Sequence, residues 1–187
     1  MNTHIYYGLY ESSLGRVLIA ASSRGVCSII LGDSAAALTR DLEARFPNLD
    51  RRRDDAKLAR EFAQVAAFID EPSRGLDLPL DVGGTEFQQR VWRALREIPA
   101  GTTVSYAEVA RRIAAPKSFR AVAQACGANR IALAIPCHRV VRNDGGLSGY
   151  RWGVSRKRAL LEKEVGKRAL LDRETGKREL LERKARA

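Results

Sequence analysis

Apolar positions along the first third of the chain fall into two short β-branched runs, Val17 to Ala20 and Val26 to Leu31. Leu14-Gly15 and Ser23-Arg24-Gly25 punctuate them as turns, so the stretch from Ile5 to Asp33 is predicted to be β-structure. The pattern then changes to helical spacing. Ala37, Leu38, Leu42, Ala44 and Phe46 share one broad face, Asp33 or Ser34 caps the start, and Pro47 ends it. The charged segment 48–55, NLDRRRDD, is predicted to be a loop. A second amphipathic helix follows, with Leu58, Phe62, Val65 and Phe68 as a core-facing stripe. Residues 71–85 carry two prolines and three glycines and read as a linker, with a short strand at Leu76 to Leu80.

Beyond Gly84 helices dominate. Residues 86–98 place Phe87, Val91, Leu95 and Ile98 on one face, with Trp92 and Ala94 beside it, and Pro99 closes the helix. Ser105 followed by Glu108 is a capping box for a helix over 105–114. Ser118 caps a third helix, over 118–129, closed by Gly127 or Asn129. Two short helices around a tight turn suggest a helix-turn-helix, although any αα-hairpin looks similar. A glycine-rich loop (142–153) leads into a final amphipathic helix. The tail then repeats: KRALLEKEVG, KRALLDRETG and KRELLERKAR succeed one another at a ten-residue period. Ten helical residues turn the chain by about 1000°, so successive Leu-Leu pairs cannot share a straight stripe. The first copy is the last true helix, and residues 166–187 are a basic repeated extension, frayed or serving as an arm with nonspecific DNA affinity. The predicted fold class is α+β: residues 1–84 an N-terminal α/β domain, residues 85–165 a mainly helical domain with the helix-turn-helix.

Charge sharpens this division. Residues 1–84 hold 10 basic and 12 acidic side chains, whereas residues 85–187 hold 23 and 10. A basic half beside a neutral one suggests a polyanion-binding face. The bland alternative is arginine as the default polar residue of a GC-rich genome. The opening MNTHIYYGLY has neither the basic nor the apolar region of a secretory signal, and no apolar run approaches the ~18 residues of a membrane helix. A cytoplasmic protein with no membrane association is expected. Three cysteines, Cys27, Cys126 and Cys137, are too few and too scattered for a disulfide framework or a zinc site, and no metal is expected.

The chemistry concentrates in AIPCHRVVR, residues 134–142, where Cys137 adjoins one of only two histidines. A cysteine nucleophile needs an imidazole to take its proton, directly or through water, and a carboxylate to orient that imidazole. Neighbouring side chains of an extended segment point apart, so the pair requires a turn or a bridging water. Taken alone, a buried inert cysteine beside a surface histidine is the commoner arrangement.

The surrounding segments alter that balance. GTEFQQRVWRALREIPAGTTVSYAEVA, RAVAQACGAN, IPCHRVV, GLSGYRWG and KRALLEKE, in this order, resemble the O6-alkylguanine-DNA alkyltransferases, closest to the C-terminal half of the bacterial adaptive-response members. The likeness covers residues 85–164, and residues 1–84 look like the family's ribonuclease-H-like domain. The resemblance implies repair of double-stranded DNA containing O6-alkylguanine, mainly O6-methylguanine, by a monomer that uses no cofactor and acts once. The base is flipped out through a helix-turn-helix in the minor groove, and its alkyl group moves irreversibly to Cys137. It further implies His138 as base through a water and Glu164 as the carboxylate on the other ring nitrogen. Asn129 would tie the helix-turn-helix to the cysteine segment, and Tyr106 would donate to the leaving guanine. Val140 and Cys137 carbonyls would receive the guanine amino group, and the Tyr150-Arg151 backbone would approach O6. Arg120 would fill the gap left by the flipped base, with Ser118, Ala121 and Gln124 beside it on the DNA. Phe119 is bulkier than the residue expected there. Trp152 stands where many members have a small residue, which predicts a narrowed pocket, good methyl transfer and poor reaction with O6-benzylguanine. Three other readings compete: a non-catalytic alkyltransferase-like binder, which would lack the cysteine; a transcriptional regulator, which would need a Cys-rich zinc module; and a small cysteine hydrolase, which would need an oxyanion hole.

Overall fold

The computed structural model describes residues 4–147 and 149–166. The second and third copies of the tail repeat lie outside the described residues. Strands β1 (His4–Ser12), β2 (Gly15–Ser22) and β3 (Gly25–Gly32) form an antiparallel meander. The segment expected to be a loop contributes a fourth strand, β4 (Asp50–Arg53), parallel to β1, giving the order β3-β2-β1-β4. Its sequence, DRRR, has no apolar alternation because β4 is a charged edge strand, and charge is what keeps such an edge from pairing further.

Helix α1 (Ala35–Arg45) starts at Ser34, whose hydroxyl accepts from the Ala37 N–H. It buries only Leu38 and Leu42; Ala37 and Ala44 are exposed, so the apolar face is narrower than the spacing suggested. Helix α2 (Ala59–Asp70) buries Val65, Phe68 and Ile69, and the Phe62 ring stacks on Tyr10 with centroids 4.1 Å apart. The expected strand at 76–80 is reduced to one bridge, Leu80 to Val26, after a short 3-10 turn at Pro72–Arg74.

The far edge of β3 joins the two halves. Val26 N–H donates to Pro79 O (2.8 Å) and Asp81 N–H to Val26 O (2.9 Å). Farther along, Ile29 N–H donates to Arg130 O (3.0 Å) and Ala132 N–H to Ile29 O (2.9 Å). Backbone groups that would otherwise be an open edge are thus satisfied by residues 79–81 at one end and by residues 130–132 of the second half at the other, and the latter bonds join the halves. One continuous apolar core runs through both halves, from Ile5 to Leu160.

In the second half, α3 (Glu86–Arg96) opens with a full capping box between Thr85 and Gln88, a signal the sequence analysis passed over. Gly84, just before it, has φ 111° and lies against the Trp92 ring, where a side chain would collide. Helix α4 (Tyr106–Arg112) has only half the expected capping box. Ser105 Oγ accepts from the Glu108 N–H at 3.1 Å, while the Glu108 carboxylate pairs with Arg111 and Arg112. Helix α5 (Phe119–Gly127) begins at Ser118, but that side chain makes no capping bond. The expected cap is therefore positional only: with φ −96° and ψ 23°, Ser118 lacks the extended backbone that aims a hydroxyl at the helix end. A two-residue parallel pair, β5 (Val104–Ser105) with β6 (Val140–Val141), ties the start of α4 to the segment after Cys137. Residues 154–166 form α6.

Candidate active site

Cys137, His138 and Arg139 form a single 3-10 turn, entered through Leu133 at φ 69° and Pro136. Cys137 N–H donates to Ile135 O (2.8 Å) and Arg139 N–H to Pro136 O (3.0 Å). This turn resolves the adjacency. Cys137 faces a cavity of ≈ 370 Å³ lined by Tyr106, Ala123, Cys126, Gly127, Gly149, Tyr150 and Arg151. His138 lies wholly inside the protein, its Nε2 2.9 Å from Glu164 Oε1. The bland arrangement, with a surface histidine, is not what forms.

Glu164 is held from several sides. Arg139 Nη2 donates to Oε1 (2.9 Å), and its Nε lies 3.1 and 3.2 Å from the two oxygens. The Gly101 N–H donates to Oε2 at 3.0 Å. Burial pushes this carboxyl up, but bonds and charges from His138 and Arg139 outweigh it and bring it to about 2. An ionised carboxylate accepts only, so His138 carries its proton on Nε2. Burial holds the imidazole below its usual value, against the pull of Glu164, so it rests neutral. Its Nδ1 is then a buried acceptor with no protein partner.

Asn129, fully buried after α5, accepts from the Ile131 N–H at Oδ1 (2.9 Å). Its Nδ2 donates to Ile135 O (2.9 Å) and lies 3.3 Å from Cys137 Sγ. The end of α5 is thereby fastened to the cysteine turn. Burial pushes the Cys137 thiol up to about 11, opposed by the Asn129 donor and by the charge of Lys157. Cys126 shares the cavity but has no such donor, and burial, with the neighbouring Cys137, drives its thiol higher still. Of the two, Cys137 is the more readily ionised.

Two residues that sequence reasoning did not single out complete the centre. Arg139 braces Glu164 and also donates through Nη1 to Ile98 O at 2.5 Å. Lys157 is fully buried on α6, its Nζ 2.6 Å from Val140 O. The signal was available: Lys157, Leu160 and Glu164 recur at i, i+3 and i+7, one helical face. A neighbouring face of α6 holds it to the first half. Arg156 Nε donates to Leu14 O (2.7 Å), and Lys163 Nζ to Ser13 Oγ (2.9 Å) and Ile69 O (3.0 Å).

The structure departs from the expected binding residues in two places. Val140 does not line the cavity: its carbonyl is turned to Lys157, with one lone pair still unclaimed by that bond. Trp152 does not line it either. It is buried behind Tyr150, edge-to-face with ring centroids 5.1 Å apart, so any narrowing acts through Tyr150. Tyr150 does form part of the wall, with its hydroxyl buried and unpartnered. Arg151 also does, its side chain reaching back to Gly127 O (3.2 Å) and Asp41 Oδ1 (3.1 Å). On α5, Arg120 and Gln124 are exposed and Ser118 and Ala121 half-buried. A larger cleft, ≈ 700 Å³, opens between the halves beside Cys27, Asp81 and Arg130. Burial pushes the Cys27 thiol up to about 12 with no imidazole among the cleft residues, so the chemistry belongs to the smaller cavity.

Known proteins resemble the chain along most of its length. Residues 5–82 match the 6-O-methylguanine DNA methyltransferase ribonuclease-like domain, and residues 86–166 match the DNA binding domain of the same family. The chain is 52% identical over 164 residues to the bifunctional transcriptional activator/DNA repair enzyme Ada of Escherichia coli, covering 88% of this chain but 46% of Ada. It is 37% identical to the methylated-DNA–protein-cysteine methyltransferase of Methanosarcina mazei over 161 residues, 86% of this chain and 97% of that one. Mycobacterium tuberculosis OGT, crystallised in complex with DNA, superposes with a TM-score of 0.72 at 35% identity over 86% of this chain and 93% of its own. The chain belongs to the 6-O-methylguanine DNA methyltransferase family.

Proposed function

We propose that this protein repairs double-stranded DNA by moving the alkyl group of O6-alkylguanine, chiefly O6-methylguanine, onto Cys137 in one irreversible step. The observation that carries the reading is the buried His138, neutral, held through Nε2 by Glu164, with Nδ1 unpartnered beside the cysteine turn. In the reaction Nδ1 takes the thiol proton through a water, and the imidazolium formed is stabilised by Glu164. Sγ attacks the alkyl carbon, the carbon–O6 bond breaks, and its electron pair leaves with guanine. Tyr106, on the cavity wall at the start of α4, donates to the developing guanine anion. A thioether has no internal route back to the thiol, so each molecule acts once.

The division of labour follows from the contacts of α6. Residues 1–84 hold the helix that carries Lys157 and Glu164, and residues 85–165 carry the chemistry and the DNA surface. Helix α5 has no acidic residue in its first turn and exposes Arg120, which meets no carboxylate among the described residues. Arg120 fills the stack when the base flips out, and Ser118, Ala121 and Gln124 meet the minor groove, an arrangement that binds salt-sensitively and without strong sequence preference. That OGT was crystallised with DNA supports DNA as the partner. Among the described residues no helix is long and apolar enough to cross a membrane. The protein acts as a cytoplasmic monomer without a cofactor.

The test is mass spectrometry after incubation with a duplex containing O6-methylguanine. One added methylene on the Cys137 peptide, stoichiometric and abolished by Cys137→Ala, is the expected result. Repeated turnover, or modification at Cys126, overturns the reading.

A further inference from the structure

Three large apolar side chains are exposed among the described residues: Phe119, Val154 and Val165. Single exposed apolar residues are ordinary on protein surfaces. Phe119 differs by its place. It is the aromatic one of the three, 45% exposed, and opens α5 immediately before Arg120. Ala123 lies one turn on, at i+4 from Phe119 and i+3 from Arg120, and is part of the cavity wall. Each side chain is therefore a surface neighbour of Ala123, the two flanking it from the preceding turn. The Arg120 guanidinium lies 5.7 Å from the centre of the Phe119 ring, so the two form a paired cation and aromatic plane. Lys117 precedes them, exposed, and no acidic side chain falls between residues 109 and 143.

We infer that Phe119 is a wedge: it enters the minor groove with Arg120 and stacks on a base beside the gap left by the flipped guanine. This rests on the proposed function and adds a residue to its DNA contacts. Apolar side chains inserted between base steps are a general means of unstacking a duplex from the minor groove, and an aromatic face accepts any base. The pairing assigns separate tasks. The guanidinium offers charge and hydrogen bonds inside the stack, and the ring offers apolar area to the neighbouring base. A helix whose first turn carries a large ring needs no base-specific contact to hold the duplex open.

The experiment compares the full chain with Phe119→Ala and Phe119→Trp on two substrates, duplex O6-methylguanine and the free base O6-methylguanine. A 2-aminopurine beside the lesion reports unstacking. Phe119→Ala is expected to transfer from duplex about tenfold more slowly at sub-saturating DNA, the loss of one base–aromatic stack. Its 2-aminopurine signal falls, its free-base rate stays at the wild-type value, and Phe119→Trp restores both duplex readouts. Equal duplex rates and equal 2-aminopurine signals for Phe119→Ala and wild type overturn the inference. So does a parallel loss on the free base, which would make Phe119 part of the cavity. Failure of the proposed function is separate: there the wild type itself transfers nothing from either substrate.

Discussion

Between residues 4 and 84 the interior encloses Ser28 and the Arg45 side chain, whose Nη2 lies 2.8 Å from Asp41, whereas between 85 and 166 it encloses Asn129, His138, Arg139, Lys157 and Glu164. Both halves contribute to one apolar core, yet only the second gathers several charged groups around one centre inside it. Burying charge is costly unless every group is paired, and an incompletely paired network is worse than an apolar one. Glu164 meets that requirement with His138, Arg139 and the Gly101 N–H. Of the unpartnered atoms in this half, His138 Nδ1 and the Tyr150 hydroxyl lie where the proposed reaction needs an acceptor and a substrate wall, and Trp152 Nε1 lies behind that wall. The first half can be simple because its task is to hold α6. The second accepts the cost of a buried polar centre.

The contrast can be broken by substitution. Glu164→Gln removes the charge that balances Arg139 and leaves buried cations unmatched. It should cost about 3–5 kcal/mol in urea unfolding and abolish fast methyl transfer by whatever fraction remains folded. A stability within 1 kcal/mol of wild type, measured at about 25 °C, would show that the network is not closed as described. Leu18→Ala, in the fully buried centre of β2, should cost about 3 kcal/mol through its cavity. Transfer per folded molecule should nevertheless stay at the wild-type rate; a slower rate would mean that the first half does more than support.

Acidification sharpens the same contrast with a smaller effect. The His138 pKa is depressed in the folded state, so the unfolded chain binds that proton more readily. Its contribution to stability is complete above the ordinary histidine value near ~6.5 and declines as pH falls below it. Glu164, held at about 2, adds a second loss between the ordinary carboxylate value near ~4.3 and its own. Chemical denaturation from about pH 8 to about pH 2 should therefore show stability falling in two stages, and His138→Phe should remove the first. A flat profile would mean that the imidazole is not buried neutral.

Much of the scaffold was legible because burial follows periodicity. The β-hairpin turns, the Val65–Phe68 face and the Val91–Leu95 face all follow apolar spacing, and the structure buries them accordingly. Strand β4 was not legible, since a charged edge strand carries no apolar alternation and owes its form to β1 beside it. The Ser118 cap failed because its backbone angles are decided by the turn after Pro116, not by residue type. That Trp152 stands behind the cavity wall was not legible either, because position along the chain does not say which layer a ring occupies. Structure puts Tyr150 in front of it.

At the centre, residue types alone offered the adjacent Cys137 and His138 and left the pair ambiguous, and Asn129 and Glu164 were named only through the resemblance. The resemblance assigned them roles. Which ring nitrogen of His138 meets Glu164, that Arg139 and Lys157 close the network, and that Cys126 shares the cavity without a donor of its own were decided only by the tertiary structure. The physical reason is separation along the chain. Glu164 lies 26 residues from His138 and Gly101 lies 63 from Glu164, so no local pattern relates them. Only packing of α6 against the cysteine turn brings these groups within hydrogen-bond reach, in a dry interior where each bond shifts a proton.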